Sequence, residues 1–141
     1  MERKKTITKF SVYGLFGICL EIFFTGFMAL IKMDLTMKGN SYIWMFFIYG
    51  LAVFLEPIHN ALRKTNIFFR GLIYTIIIYL VEYASGFLLV QLIGRSPWYY
   101  TDEGSINGLI TLSFIPVWFV LGLIFEKAHD YMDVVLRKIY E

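Results

Sequence analysis

Two glutamates stand inside long apolar runs. Glu21 interrupts the stretch from Phe10 to Ile31, and Glu82 interrupts the stretch from Gly71 to Ile93. A charged side chain at the centre of a helix in lipid costs about 2.5–3.5 kcal/mol on insertion scales, so such a group faces protein, finds donors or carries a proton. Proton exchange and polar-ligand binding are the chemistries that intramembrane carboxylates serve by default. Small and polar residues share their faces. Gly14, Gly17, Glu21 and Thr25 follow helical steps, and Gly71, Thr75, Glu82, Ser85 and Gly86 form a similar stripe. Small residues let helices approach closely, and hydroxyls can hydrogen-bond a carboxyl group. Glu21 lies twelve residues after Lys9, and Glu82 twelve after Arg70. At the α-helical rise both sit roughly 18 Å beyond those basic residues. The expectation is one polar ligand- or proton-binding site lined by Glu21 and Glu82 and flanked by Tyr49, Tyr79 and Tyr83. Thr25, Thr75, Ser85 or a tyrosine hydroxyl would serve as donors.

A second pattern is Glu-x-x-His. It occurs at Glu56-Pro57-Ile58-His59 and again at Glu126-Lys127-Ala128-His129. With one further glutamate from each of two other helices, this is the ligand recipe of di-iron and di-manganese carboxylate bundles. Glu56, His59, Glu126 and His129 are therefore the residues that could hold a metal. Two facts weigh against it. Glu21 and Glu82 would lie one to two turns deeper than Glu56 and Glu126, and Pro57 disturbs the local helix. The plainer reading makes both histidines interfacial polar residues, and no metal or other cofactor is expected. No GxxxxGK[ST] phosphate loop, G-x-S-x-G elbow or HExxH pair is present, so no residue takes a catalytic role on motif grounds.

The elements that must position these groups are membrane helices. The chain has 141 residues, 58% hydrophobic and 17% charged, with mean hydropathy +0.64. A soluble domain averages roughly 45–50% apolar and roughly 25% charged. The one cysteine, Cys19, leaves no internal disulfide and no CxxC pair. The net charge of +2 is too small for a nucleic-acid partner. A span needs about 20 mostly apolar residues. Four stretches qualify, at about 10–31, 42–62, 71–93 and 106–126, with 127–141 as an amphipathic cytoplasmic tail or an extension of the fourth helix. The first is too long for the apolar region of a signal peptide. The second is expected to continue through Pro57 towards Leu62, and Pro116 is expected to bend the fourth. The expected architecture is all-α: one polytopic membrane domain over 1–141, a four-transmembrane-helix bundle built as two parallel helical hairpin repeats.

Basic residues set the orientation. Arg3, Lys4, Lys5, Lys9, Arg63, Lys64, Arg70, Lys127, Arg137 and Lys138 fall on one side, against Lys32, Lys38 and Arg95 on the other. Positive residues favour the inside, so both termini are expected in the cytoplasm, with a cell-membrane location if the source is prokaryotic. Arg95-Ser96-Pro97-Trp98-Tyr99-Tyr100 follows the third span. It reads as an aromatic belt at the headgroup level, or as a lip over a cavity open to the outer leaflet.

Several strings then stand together in order: Gly17-Ile18-Cys19-Leu20-Glu21, Phe47-Ile48-Tyr49-Gly50, Glu82-Tyr83-Ala84-Ser85-Gly86-Phe87, Pro97-Trp98-Tyr99-Tyr100, Asn107-Gly108-Leu109-Ile110-Thr111-Leu112, Trp118 and Glu126. From about Tyr13 to Glu126 the chain resembles the small membrane family of CmpB-like ABC-transporter permeases. It also resembles the animal group named transmembrane protein 229. The resemblance implies transport, four spans and glutamates within them; His59 and His129 are not part of its pattern.

Two function classes follow. One is a permease-like or lipid- or hydrophobic-ligand-binding membrane component with a polar carboxylate site. The other is a small membrane-embedded enzyme acting on a lipid, with glutamates as acid and base or as metal ligands. An accessory subunit whose glutamates only pair helices is the plainest version. Expected partners are membrane lipids and either further copies of the chain or an ATPase subunit, with no nucleic acid.

Overall fold

The computed structural model describes residues 2–140; Met1 and Glu141 of the expected domain lie outside them. The fold is all-α. Helix α1 covers Glu2–Ile31, α2 Ile43–Gly50, α3 Glu56–Leu62, α4 Ile67–Ile93 and α5 Ile115–Tyr140. A two-stranded hairpin, β1 (Ser105–Ile106) and β2 (Ile110–Thr111), precedes α5. Four helical runs are long and apolar enough to cross a membrane: Glu2–Ile31, Ile43–Leu62, Ile67–Ile93 and Leu112–Tyr140.

Both helix-interior prolines of the sequence reading turn out to start helices. A tighter 3₁₀ segment, Leu51–Leu55, leads into α3, whose second residue is Pro57. Another, Leu112–Phe114, leads into α5, whose second residue is Pro116. The missing N–H of proline costs little in a first turn, where that donor has no intrahelical acceptor anyway. So the run continues through Pro57 to Leu62 as the sequence implied, and Pro116 stands likewise at the junction of 3₁₀ and α-helix within the run Leu112–Tyr140.

The fourth stretch also differs at its beginning. Residues 106–111 form a hairpin rather than helix, and 127–140 continue α5 without a break. Asn107 and Gly108 have φ of 53° and 70°, the left-handed pair that an Asn-Gly hairpin turn requires. Leu109 N–H closes the turn on Ile106 C=O at 3.1 Å. Gly108 also admits no side chain, since a Cβ there would meet the ring of Tyr99.

The described chain falls into two compact units. One holds residues up to Leu55 together with the end of α5, and the other holds Glu56–Val135. In the first, α1 and α2 pack antiparallel through glycines. Gly14 faces Phe46, Gly17 faces Tyr49, and Gly50 faces Phe10. In the second, Gly71 of α4 faces Phe119 of α5, and Gly122 of α5 faces Tyr74. Helix backbones come close only where the facing side chain is absent, which explains these glycine positions. Asn66 caps α4 by accepting from Phe68 N–H at 2.7 Å, and Gly94 ends it with φ of 78°.

Candidate functional site

The Glu21 centre lies in the first unit. Residues 32–42 fold back on the end of α1. Gly26 lies against the Met37 carbonyl and Gly39 against that of Ile22, and Asn40 N–H donates to Thr25 Oγ1 at 2.8 Å. This return brings Ser41 Oγ to Glu21 Oε2, donating at 3.1 Å. The Tyr49 hydroxyl of α2 also hydrogen-bonds the carboxyl. Of the expected site residues, Glu21 and Tyr49 therefore meet.

The Glu82 centre lies in the second unit and is better shielded, with Glu82 only 8% exposed. The Tyr100 hydroxyl donates to its Oε1 at 2.6 Å, and the Trp118 indole N–H donates to Oε2 at 3.1 Å. Each oxygen thus has its own donor, one from the segment after α4 and one from α5. Tyr100 is set by Phe114, edge-on at 5.4 Å, and Phe114 by Trp118 at 5.5 Å. The hairpin holds the segment that carries Tyr100. Trp98 Nε1 donates to Leu109 C=O at 3.0 Å, and Tyr100 N–H to Gly108 C=O at 2.9 Å. Asp102 ties the hairpin off by accepting from Thr111 and Ser113 hydroxyls at 2.5 and 2.7 Å. Those two hydrogen bonds hold the Asp102 carboxyl below its ordinary value.

Tyr79 and Tyr83 serve that hairpin through their hydroxyls. Tyr79 donates to Thr111 C=O at 2.6 Å, and Tyr83 accepts from Asn107 Nδ2 at 2.8 Å. The hydroxyls named as donors take backbone partners instead. Thr25 donates to Glu21 C=O, Thr75 to Gly71 C=O, and Ser85 to Val81 C=O, at 2.9, 2.8 and 2.6 Å. A serine or threonine in a helix bonds the carbonyl one turn back whenever no better acceptor lies in reach. The aromatic segment after α4 divides as well. Tyr99 is 73% exposed, as a belt residue would be, whereas Trp98 is 7% exposed and Tyr100 turns to Glu82.

The two Glu-x-x-His motifs come together in the second unit, asymmetrically. His59 and His129 are each 1% exposed, with ring centroids 5.5 Å apart. Glu126, 4% exposed, accepts from the Tyr74 hydroxyl and lies 3.1 Å from Arg70 Nε. That carboxylate is engaged by an α4 cation and a phenol. Glu56 turns the other way, with Oε2 3.8 Å from His129 Nε2. His129 Nε2 also lies 3.0 Å from Oδ2 of Asp133, one turn on.

The sequence matches the family described as "Putative ABC-transporter type IV" over residues 8–140. The chain belongs to that family. With its four apolar helices it is a multi-pass membrane protein of that family. No solved structure matches the chain. Sequence reasoning missed Ser41, Tyr100, Trp118, Tyr74 and Asp133 as partners of the candidate residues. Of these, Tyr100 and Trp118 had a readable signal, because both stand in the strings that carry the family resemblance.

Proposed function

We propose that the protein is a permease-type membrane component whose polar ligand- or proton-binding groups are the intramembrane carboxylates Glu82 and Glu21. One observation carries this reading. Glu82 is buried within an apolar span, yet donors from two separate elements hold its two oxygens in a ready-made acceptor site. Burying a carboxylate is costly, and a helix hairpin that needed only adhesion would do without one. The neighbouring Tyr79 and Tyr83 act by fixing the hairpin that presents Tyr100. Glu21, with Ser41 and Tyr49, repeats the scheme in the first hairpin.

We infer further that both termini face the cytoplasm, from the uneven distribution of basic residues. Membrane lipids surround the helices. A transport pathway from four spans calls for further copies of the chain, and energy coupling calls for a separate ATPase subunit. The resemblance to the transmembrane protein 229 group belongs to the same proposal.

Native mass spectrometry of the detergent-purified protein and its Glu82→Gln variant tests the site. The wild type is expected to retain a small polar ligand or a lipid, or to show a protonated carboxyl band by infrared spectroscopy. The variant, folded, loses that signal. Equal ligand occupancy together with identical carboxyl bands in the two proteins would leave Glu82 a structural residue.

A further inference from the structure

Among the described residues, one group of three side chains converges as metal ligands do: Glu56, His129 and Asp133, whose ligand atoms all lie within 4.8 Å of one another. We propose that these three residues bind a divalent first-row transition-metal ion, with a ligand set that includes neither Glu82 nor Glu21.

The geometry is near that of a bound site. His129 Nε2 lies 3.0 Å from Asp133 Oδ2 and 3.8 Å from Glu56 Oε2. Ligand atoms held at about 2.0–2.2 Å from one ion stand about 3–4 Å apart at ordinary bond angles. The local structure explains the convergence. His129 and Asp133 are one turn apart on α5, which puts both on one face. Glu56 comes from the first turn of α3, where the 3₁₀ segment ends and Pro57 sets the backbone.

The donor set is one imidazole and two carboxylates, without thiolate. It suits zinc, manganese, iron(II) or cobalt and disfavours copper(I). Three protein ligands leave at least one position for water or another small ligand. A neutral His129 would bind through the Nε2 lone pair, and any proton held between Nε2 and Asp133 would leave to solvent on binding.

A second observation points the same way. The cluster holds more buried imidazole than the protein uses. His59 packs on the ring of His129, and neither of its ring nitrogens has a hydrogen-bond partner among the described residues; nor does Nδ1 of His129. Buried polar nitrogens are normally satisfied, and those left without a protein partner call for a bound water or ion nearby. Glu126 lies 3.1 Å from Arg70 Nε beside the cluster, so that carboxylate is engaged with a cation rather than offered to the site.

The test uses the full-length protein in detergent, stripped with a chelator and then titrated with Co²⁺ alone and with Zn²⁺ alone. Expected are one ion per chain, visible Co²⁺ absorption bands that Zn²⁺ abolishes, and at least tenfold weaker binding in Asp133→Asn and in Glu56→Gln. Glu103→Gln, in the exposed segment before the hairpin, should bind as the wild type does. His129→Ala removes a buried ring and can fail to fold, so the two carboxylate variants decide, each checked for wild-type helicity. No saturable binding, or affinity unchanged in both variants, would overturn the site and leave His129–Asp133 an ordinary hydrogen bond.

Discussion

Tyr100→Phe isolates one of the two donors on Glu82. It deletes the hydroxyl that donates to Oε1 at 2.6 Å and keeps the ring that packs on Phe114. Hydrogen bonds to charged groups are worth about 1.5–3 kcal/mol net in soluble proteins. Between membrane helices, measured couplings average about 0.6 kcal/mol and reach about 1.7, because the unfolded chain in lipid also finds partners. The short distance and the shielding of Glu82 place this bond in the upper half of the membrane range, so the expected loss is about 1–1.5 kcal/mol. Trp118→Phe removes a longer contact, 3.1 Å, to the other oxygen, and should cost about 0.5–1 kcal/mol. Glu82→Gln is more informative still. Indole can only donate, so the amide oxygen must face Trp118 and the amide NH₂ must face Tyr100, whose oxygen can accept. The variant should fold and lose less stability than Glu82→Ala. Reversible unfolding in mixed micelles gives these values, and a cycle over Tyr100→Phe and Glu82→Ala gives the coupling. A coupling under about 0.3 kcal/mol would refute the argument, since it would mean the hydroxyl and the carboxylate do not stabilise each other.

Other outcomes follow from the same structure. Gly17→Val places a branched side chain against the ring of Tyr49; the expected cost is about 1–3 kcal/mol, read as a lower unfolding midpoint, and an unchanged midpoint would contradict the α1–α2 packing. Asp102 has a lowered carboxyl pKa, caused first by the Thr111 hydroxyl and then by that of Ser113. The stabilisation it gives is complete above the ordinary value of 3.8 and is lost as pH falls below that through the lowered folded value. Thermal melts of Asp102→Asn should therefore be flatter with pH than wild type in that acidic window, and parallel curves would exclude the role. In a background with Cys19 replaced, a membrane-impermeant thiol reagent added outside should label Glu103→Cys and spare Thr6→Cys; the reverse pattern would invert the proposed orientation.

The helices were legible because apolar length alone decides them, whatever they pack against. The carboxylates were legible for the same reason, each being costly in an apolar run. Their partners were not. A donor that reaches Glu82 from the segment after α4 depends on how that segment folds, and the fold turns on Asn107-Gly108. That pair is among the strongest short hairpin signals, but it sits at the edge of an apolar stretch where helix was the simpler reading. Spacing put Thr25, Thr75 and Ser85 on the faces of the glutamates, yet a face says nothing about the competing carbonyl one turn back. Asp133 was visible only as a polar position on an amphipathic tail. Its approach to His129 requires that the tail continue α5 as helix, which composition left open.

The two hairpins nevertheless obey a common plan that the Glu-x-x-His repeat only half disclosed. In each, the carboxylate on the first helix receives one donor from the connection that follows and one from the second helix: Ser41 and Tyr49 for Glu21, Tyr100 and Trp118 for Glu82. In each, a 3₁₀ segment and a proline in the next turn lead into the helix that carries Glu-x-x-His. The plan explains why the second connection needs a hairpin and the first does not. Ser41 is short and its segment is carried to Glu21 by backbone contacts with α1. Tyr100 must hold a long side chain at one oxygen, and only a connection pinned by Trp98, Tyr79, Tyr83 and Asp102 can fix it there. The two motifs have diverged most at their carboxylates. Glu126 is taken by Arg70 and Tyr74, while Glu56 turns to His129. Arg70 on α4 thus makes Glu126 part of a helix clamp, while the matching carboxylate of the first motif, Glu56, approaches His129 of the second.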